Sequence, residues 1–401
     1  MVTERTGGAP WGVAMASSLI LGLIVGIPYY GIPFFYDYFE AAYGWSRAAM
    51  MLGLPVGTFV TLLAGPWLVP RVPPKRGIIC GAAVCAAAMS GFGAMGGGLA
   101  GYYAVWLLYM AGWTFAGPLA HQILLSEIFG LKRGRAFAVS FFGISALGAV
   151  SVALLARPLT AALGFRGALL AMGGVMLLAV PVAIFGLPDI RIQPAAARSG
   201  EPAFQWDRPF WLLLLGSTIS IAGIGGVSQH LKLIFREAGY GEQARLDAVF
   251  GWTLMAMLTA GAAGRFLFAW GAERFPKRRV ISVAFALMAG SMPLLLWLDR
   301  PYVPYVFGIA FGLGISSDSL MVPLLATDFY GGKSLGRVMG IIVPVNTVGQ
   351  TWFPSLLSLL WASSGSYTMP LAVTFVCVLT GRLALALLPA PAPVCRALGR
   401  S

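Results

Sequence analysis

Charged side chains are scarce in this sequence. They make up 10% of the 401 residues, whereas 58% are hydrophobic, and an ordinary soluble domain carries about 25% charged residues. The net charge of +13 does not indicate a nucleic-acid partner, because the Lys and Arg residues lie in short loops between apolar runs instead of forming one basic face. The composition excludes an ordinary soluble domain and predicts a chain whose solvent is the lipid bilayer.

Residues that bind metals or carry out catalysis are also few. The four cysteines form no CxxC pair, and three of them, Cys80, Cys85 and Cys377, lie in apolar segments, where Cys acts as a small hydrophobe. The 2 histidines are far apart, and the sequence contains no Walker loop, GxSxG or HExxH motif. We therefore expect no disulfide, no metal, no cofactor and no enzymatic activity.

Long apolar runs, in contrast, are abundant. A helix needs about 20 mostly apolar residues to cross the hydrocarbon core, and the sequence has a dozen such stretches between polar or Gly/Pro breaks. The first is too long for a signal-peptide core and is expected to be retained. The prediction is an all-α membrane protein with twelve spans, over residues 11–36, 47–69, 77–97, 101–126, 136–157, 166–187, 210–234, 247–272, 279–298, 302–327, 336–361 and 368–389.

The distribution of cations orients the chain. Most of the 27 Lys and Arg residues fall at the termini and in the even-numbered loops, which the positive-inside rule assigns to the cytoplasm. Both termini are then cytoplasmic, in a multi-pass protein of a bacterial-type inner membrane. A stretch rich in Pro, Ala and Arg separates spans six and seven. We predict an N-terminal six-helix bundle over 1–187, a linker over 188–209 and a C-terminal bundle over 210–401.

The two halves of the sequence repeat at an offset near 200 residues. FEAAYG at 39–44 matches REAGYG at 236–241, and RVPPKR at 71–76 matches RFPKRR at 274–279. SEIFG followed by KRGR in the first half corresponds to TDFYG followed by KSLGR in the second. Because charged loop residues match as well as apolar ones, the repeats favour a fusion of two related six-helix bundles.

Five strings, in their order along the chain, resemble the major facilitator superfamily, and within it the branch of monocarboxylate transporters and oxalate:formate antiporters. They are GWSRA at 44–48, FGLKRGRAFA at 129–138, GFRGA at 164–168, QHLKLIFREAGY at 229–240 and GRFLFAWGAERFPKRR at 264–279. The resemblance covers essentially the whole chain. It implies a secondary transporter for a small organic anion that works as a monomer.

This sequence departs from the family pattern in two places. The acid that the family's signature loop places before Arg71 is replaced by Pro70, whereas Glu273 precedes Arg274 in the second half. The second substrate cation that the oxalate antiporter carries in span eleven has no counterpart between Arg337 and Trp361. This second departure favours a monocarboxylate over a dicarboxylate.

Charges within spans are functional candidates, because an unpaired charge costs several kcal/mol at membrane depth. Arg265 in span eight matches the branch's substrate arginine, and a guanidinium grips two carboxylate oxygens. The alternative is an Arg paired permanently to an acid. Asp318 in span ten is expected to be the only acid well inside a span. It is a candidate for proton coupling, for the counterion of Arg265 or for a purely structural acid.

Several neutral side chains are further candidates. The histidine pKa near 6.5 suits proton coupling, which we assign to His121 in span four, whereas His230 lies in the family-like QHL string and is placed with the substrate. Other hydrogen bonds to the substrate are expected from a set of four side chains, namely Tyr29, Tyr30, Asn346 and Gln350. For all six residues, interhelical packing is the alternative role.

Charged residues recur at matching cytoplasmic ends of the two halves. In the family such residues latch the cytoplasmic gate, and the resemblance assigns this role to Arg71, Glu127, Arg135, Glu273, Arg274, Asp328 and Arg337. Plain topology-setting charge is the alternative.

The leading hypothesis is transport of a small organic anion, most simply a monocarboxylate, together with protons by alternating access. Two alternatives stay open: proton-driven efflux of amphipathic compounds, favoured by the 12% aromatic content, and a membrane sensor that has lost transport, to which Pro70 points.

Overall fold

The computed structural model describes residues 11–68, 71–129, 133–190 and 206–389. These residues form helices and connecting turns and contain no β-strand. Compactness divides the chain into two units. The first comprises Met1–Pro194 together with Glu242–Leu258, and the second comprises Ala195–Gly241 and Thr259–Ser401. Most of the predicted linker (191–205) and Pro70 lie outside the described residues, so the predicted bundle boundaries and the Pro70 departure stay predictions.

The first half of the chain contains eleven α-helices in the described ranges: α1 Trp11–Leu21, α2 Ile27–Gly31, α3 Tyr36–Tyr43, α4 Arg47–Met51, α5 Gly53–Leu68, α6 Pro74–Ala94, α7 Leu99–Ala116, α8 Pro118–Phe129, α9 Arg133–Val150, α10 Arg157–Met176 and α11 Ala179–Gly186. Two π-helices, Gly22–Gly26 and Ser151–Ala156, and a 3-10 helix, Ile32–Phe35, connect several of them.

The second half contains six described α-helices: α12 Arg208–Glu237, α13 Gln243–Arg274, α14 Lys277–Ser291, α15 Val303–Ile315, α16 Asp318–Ser364 and α17 Thr368–Ala386. A 3-10 helix, Met292–Leu296, extends α14. The Asp207 carboxylate caps α12 by accepting a hydrogen bond from the backbone N–H of Phe210 at 3.1 Å.

Within the described residues, 7 helical stretches are long and apolar enough to cross a membrane. They are Trp11–Tyr43, Pro74–Ala94, Arg135–Gly186, Arg208–Glu237, Gln243–Ala272, Lys277–Leu296 and Thr368–Ala386. Shorter apolar helices, Arg47–Leu63 and Val303–Ile315, lie at predicted spans two and ten. The helical character of the predicted spans is therefore confirmed, although several are broken or joined to a neighbour.

Two of the joined stretches show where the predicted boundaries hold and where they do not. The 52-residue stretch Arg135–Gly186 covers predicted spans five and six, and its helix changes direction at Gly164, where φ is 69°. That left-handed backbone suits glycine, and it lies in the predicted loop. In contrast, α16 runs through the predicted loop between spans ten and eleven as continuous helix.

Small residues let α9 closely approach α1 and the π-helix that follows it. A methyl group on Gly26 would lie 2.5 Å from the carbonyl oxygen of Ile144, and one on Gly143 would overlap the carbonyl oxygen of Ser18. Such contacts between backbones are typical of membrane helix pairs. The π-helix that follows α1 frees a carbonyl, and the Tyr109 hydroxyl donates to the carbonyl of Ile24 at 2.8 Å. That bond compensates the irregular backbone.

The sequence repeat has a structural counterpart inside each unit. In the first half, Tyr43 of the FEAAYG string lies against Gly97 in the turn before α7. In the second half, Tyr240 of the REAGYG string donates its hydroxyl to the carbonyl of Leu298, in the turn before α15, at 2.8 Å. The equivalent tyrosine therefore contacts the equivalent turn in both halves, as related folds predict.

Candidate substrate and gating site

Arg265 lies in the interior of α13, in the second unit, with a half-buried side chain. Glycines one turn before it and next to it allow close packing on α15. A methyl group on Gly261 would lie 3.2 Å from the carbonyl oxygen of Gly312, and one on Gly264 would contact the Ser316 hydroxyl. The α13 turn that carries Arg265 is thus held directly against the end of α15.

Span ten is interrupted at this point of contact. Helix α15 ends at Ile315 and α16 begins at Asp318. The hydroxyls of Ser316 and Ser317 donate to the carbonyls of Leu313 at 2.6 Å and Gly314 at 3.3 Å. The Asp318 side chain lies outside the described part of the chain, but its backbone is the first residue of α16, where a helix dipole favours negative charge. The fold brings the segments of Arg265 and Asp318 together.

His230 is completely buried in α12. Its Nε2 lies 2.8 Å from the carbonyl oxygen of Pro354, and its Nδ1 lies 2.8 Å from the Tyr367 hydroxyl. Because a carbonyl can only accept, Nε2 carries a proton and donates it to Pro354. The ring therefore joins α12 to α16 and to the residue before α17. Its predicted substrate role stays a prediction, and the geometry shown is that of a structural contact.

His121 lies in the first unit, on α8, and is 1% exposed. Neither ring nitrogen makes a well-formed hydrogen bond to a described residue. The backbone of Ala116 is close enough to interact with the ring electrostatically. Ala14 and Leu125, one turn from Ser17 and His121 respectively, share a buried cluster. The buried Ser17 hydroxyl, which likewise makes no hydrogen bond within the described residues, therefore lies at about the level of His121. The proton-coupling role of His121 stays a prediction.

The four neutral candidates lie in two separate places. Tyr29 and Tyr30 follow the first π-helix in the first unit, are half-buried, and meet edge to face at 5.0 Å. Asn346 and Gln350 lie one turn apart on α16 in the second unit. The side-chain oxygen of Asn346 accepts hydrogen bonds from the hydroxyls of Ser217 at 3.2 Å and Thr218 at 2.7 Å. Those hydroxyls belong to α12, so Asn346 contributes to packing between α12 and α16.

Of the predicted gating residues, Arg71, Glu127, Arg135, Glu273 and Arg274 lie at or near helix ends, whereas Asp328 and Arg337 lie inside the continuous helix α16. Lys277, at the start of α14, donates to Asp328 at 2.5 Å, and the guanidinium of Arg274 lies 4.2 Å from the ring of Trp270. Arg71, Glu127 and Arg135 are exposed. The side chains of Glu273 and Arg337 lie outside the described part of the chain. The gating role of the set stays a prediction.

Three buried charged residues escaped the sequence analysis. Asp37 is 4% exposed and Asp247 is 5% exposed, and both lie in helices of membrane-spanning length. Both acids lie near the end of their helical stretch, so they do not contradict the expectation that Asp318 is the only acid well inside a span. The predicted boundaries left Asp37 one residue beyond span one (11–36) and made Asp247 the first residue of span eight (247–272). Lys232 is 1% exposed within α12. A charge set among aromatic residues, as in FFYDYFE, was the available signal for Asp37.

The architecture is that of a helical multi-pass membrane transporter. The chain matches the Major Facilitator Superfamily model over residues 119–354, more than half of its length, and belongs to this family. The all-α fold class predicted from the sequence is thereby confirmed, as is the prediction that the protein is a transporter and not an enzyme.

Solved structures agree with this assignment. A bacterial homologue of the human lysosomal transporter Spinster, inward-facing and unoccupied, matches with a TM-score of 0.67 at 12% identity over 95% of this chain and 94% of that chain. The same transporter in its inward-facing occupied state matches with a TM-score of 0.71 at 12% identity, over 96% of this chain and 100% of that one. No curated protein sequence matches this chain. At such low identity, the structural likeness shows the fold alone.

Proposed function

We propose that this transporter moves a small monocarboxylate together with a proton across a bacterial inner membrane. The observation that carries the proposal is the placement of Arg265, a half-buried cation in the middle of α13 beside the interrupted span ten. A guanidinium at membrane depth is costly unless it faces water or an anion. Arg265 offers a carboxylate two parallel N–H donors and keeps its charge at any working pH.

Proton coupling is assigned to Asp318. The contact between Gly264 and Ser316 places the Asp318 segment close to the turn of Arg265. An acid there can pair with the arginine in the absence of substrate and accept a proton when a carboxylate replaces it as the partner. Exchange of one anion for another at the guanidinium would then couple proton uptake to substrate binding. Interrupted membrane helices commonly form such ion and substrate sites.

Neutral side chains would complete the site. In the first unit we assign this role to Tyr29 and Tyr30, and in the second to Asn346 and Gln350. Since the Asn346 oxygen already accepts two hydrogen bonds, a substrate would meet its amide N–H donors. His230 is better suited to holding helices in place, because both of its ring nitrogens are engaged. The positive-inside pattern supports cytoplasmic termini, and we propose that the protein works as a monomer.

The test is uptake into liposomes under an imposed pH gradient. Purified protein would be screened against small monocarboxylates and dicarboxylates, with uptake and internal pH followed together. We expect saturable monocarboxylate uptake that moves protons, and we expect Arg265→Gln to abolish it without loss of folded protein. Arg300→Gln, the same change at an exposed loop position, is the matched control and should transport normally. Full uptake by the Arg265→Gln protein would refute the proposal.

Asp318→Asn separates coupling from binding. This variant should still bind the carboxylate and exchange it across the membrane, but it should no longer accumulate the carboxylate in response to the pH gradient. If it accumulates substrate as well as the wild type does, Asp318 is not the coupling acid. A different pair of results would support efflux of amphipathic compounds. In that case no carboxylate would be taken up, and cells from which the gene is deleted would lose resistance to toxic amphipathic compounds.

A further inference from the structure

Four polar side chains of the first unit form one hydrogen-bonded group, which we call the amide clasp: Asp37, Tyr38, Gln243 and Asp247. We propose that the amide clasp is a latch that keeps the non-cytoplasmic side of the transport path closed and must open once in each cycle. The inference rests on the proposed function for alternating access and for the orientation of the chain. It assigns a gating role to residues that lie outside the predicted cytoplasmic gate.

Gln243 is the centre of the clasp. Its side-chain amide has two N–H donors, and both are used: one donates to Asp37 at 2.7 Å and the other to Asp247 at 2.9 Å. The second oxygen of Asp247 accepts from the Tyr38 hydroxyl. One neutral amide therefore bridges two nearly buried carboxylates, and no other side chain type of that length supplies two donors without adding charge.

The clasp joins different parts of the sequence repeat. Asp37 and Tyr38 belong to α3, at the end of the first span, whereas Gln243 and Asp247 form the first turns of α13, in the second repeat. With the N-terminus on the cytoplasmic side, span one ends on the non-cytoplasmic side, and so does span seven, which directly precedes α13. Both elements of the clasp therefore lie on the non-cytoplasmic side in the proposed orientation. The clasp is consequently positioned to hold α13 against the first repeat at the opposite end from the predicted cytoplasmic gate.

An apolar layer lies beneath the clasp. Phe250, two turns into α13, stacks on Phe34 with ring centroids 6.4 Å apart. A methyl group on Gly251 would lie 3.2 Å from the backbone of Ala153, in the second π-helix. These contacts explain why Glu242–Leu258 belongs to the first compact unit although the rest of α13 belongs to the second. When the clasp opens, the segment Glu242–Leu258 must separate from the first repeat.

The chemistry of the clasp suits a contact that opens. The Gln243 side chain is itself exposed, so water can replace its two hydrogen bonds to the buried carboxylates when the contact opens. Charged neighbours along the chain are Glu40 on α3, whose carboxylate lies 4.0 Å from the Arg47 guanidinium, and the exposed Arg245 on α13. A static helix contact would be better served by apolar packing. The two hydrogen bonds of Gln243 join the two acids.

The experiment uses a buried reporter in the full-length protein. In a background without cysteine, Ala153→Cys places a thiol in the apolar layer, and right-side-out membrane vesicles are treated with a membrane-impermeant maleimide. Gln243→Leu removes both donors and should raise the labelling rate about tenfold. Gln243→Glu also adds a third negative charge and should raise it further. Gln122→Leu, the same substitution at a half-buried position of α8, is the matched control and should leave labelling unchanged.

A cross-link tests the same latch in the opposite direction. The test protein carries Tyr38→Cys together with Asp247→Cys, and a short bifunctional reagent with a reducible centre joins the two thiols. The cross-link should stop transport until the reagent is cleaved by reduction. Unchanged labelling in both Gln243 variants would overturn the proposal, as would full transport by the cross-linked protein. A rise in labelling seen only in inside-out vesicles would overturn the assignment to the non-cytoplasmic side. Because labelling requires no substrate, the clasp can hold even if no carboxylate is transported.

Discussion

Replacement of His230 separates a structural histidine from a proton carrier. His230→Leu removes the hydrogen-bond partner that the ring supplies to the Tyr367 hydroxyl and to the Pro354 carbonyl, both in a buried place. Each unsatisfied group costs about 1–3 kcal/mol, so the variant should lose about 2–6 kcal/mol of stability. His230→Gln should restore most of this, because its amide nitrogen can donate to the carbonyl while its oxygen accepts from the tyrosine.

The assay pairs thermal unfolding in detergent with substrate uptake over a range of pH. We expect the Leu variant to unfold at a markedly lower temperature and the Gln variant to unfold near the wild type with normal, proton-coupled uptake. Glutamine cannot carry a proton at physiological pH. If the Gln variant is as stable as the wild type yet moves no protons, His230 is part of the coupling machinery and the structural argument is refuted.

Two further predictions concern packing and the cytoplasmic end. Gly143→Ala should cost about 1–3 kcal/mol, seen as a lower unfolding temperature, because the added methyl overlaps the Ser18 carbonyl. Gly174→Ala meets open space in a helix and should instead stabilise by up to about 1 kcal/mol; equal effects would refute the close packing. Asp328→Asn breaks a pair with Lys277 whose side chains are 29% and 27% exposed, so stability should change by less than about 1 kcal/mol. A change in uptake rate with unchanged unfolding would show that the pair gates.

The fold was largely predictable because its main signal is the length of apolar runs. Each long run became helix, and the break at Gly164 falls in the predicted loop, since glycine tolerates the left-handed backbone found there. The loop between spans ten and eleven was predicted wrongly as a break. Its residues are polar and glycine-rich but include no proline, so nothing in the chain prevents the helix from continuing.

The candidate site was less predictable, because it depends on which distant residues meet. The sequence shows Lys277 and Asp328 as charges at helix ends but gives no sign that they pair. Asp37 and Asp247 were missed for a similar reason. Each lies at the edge of an apolar run, where hydropathy cannot distinguish a buried helix end from a loop. Both acids hydrogen-bond one glutamine that follows Asp37 by about 200 positions, a contact that the sequence alone does not reveal.

The π-helix Gly22–Gly26 sets the direction in which two aromatic side chains of span one point. A π-helical turn contains one more residue than the α-helix needs, and each residue rotates the chain by about 100° around the axis. Removal of a single residue from this segment would therefore leave the span apolar and helical but turn Tyr29 and Tyr30 onto another face. Relatives that differ here by one residue would have the same hydropathy profile but a different orientation of this tyrosine pair, so alignments across this segment should be anchored on the two tyrosines.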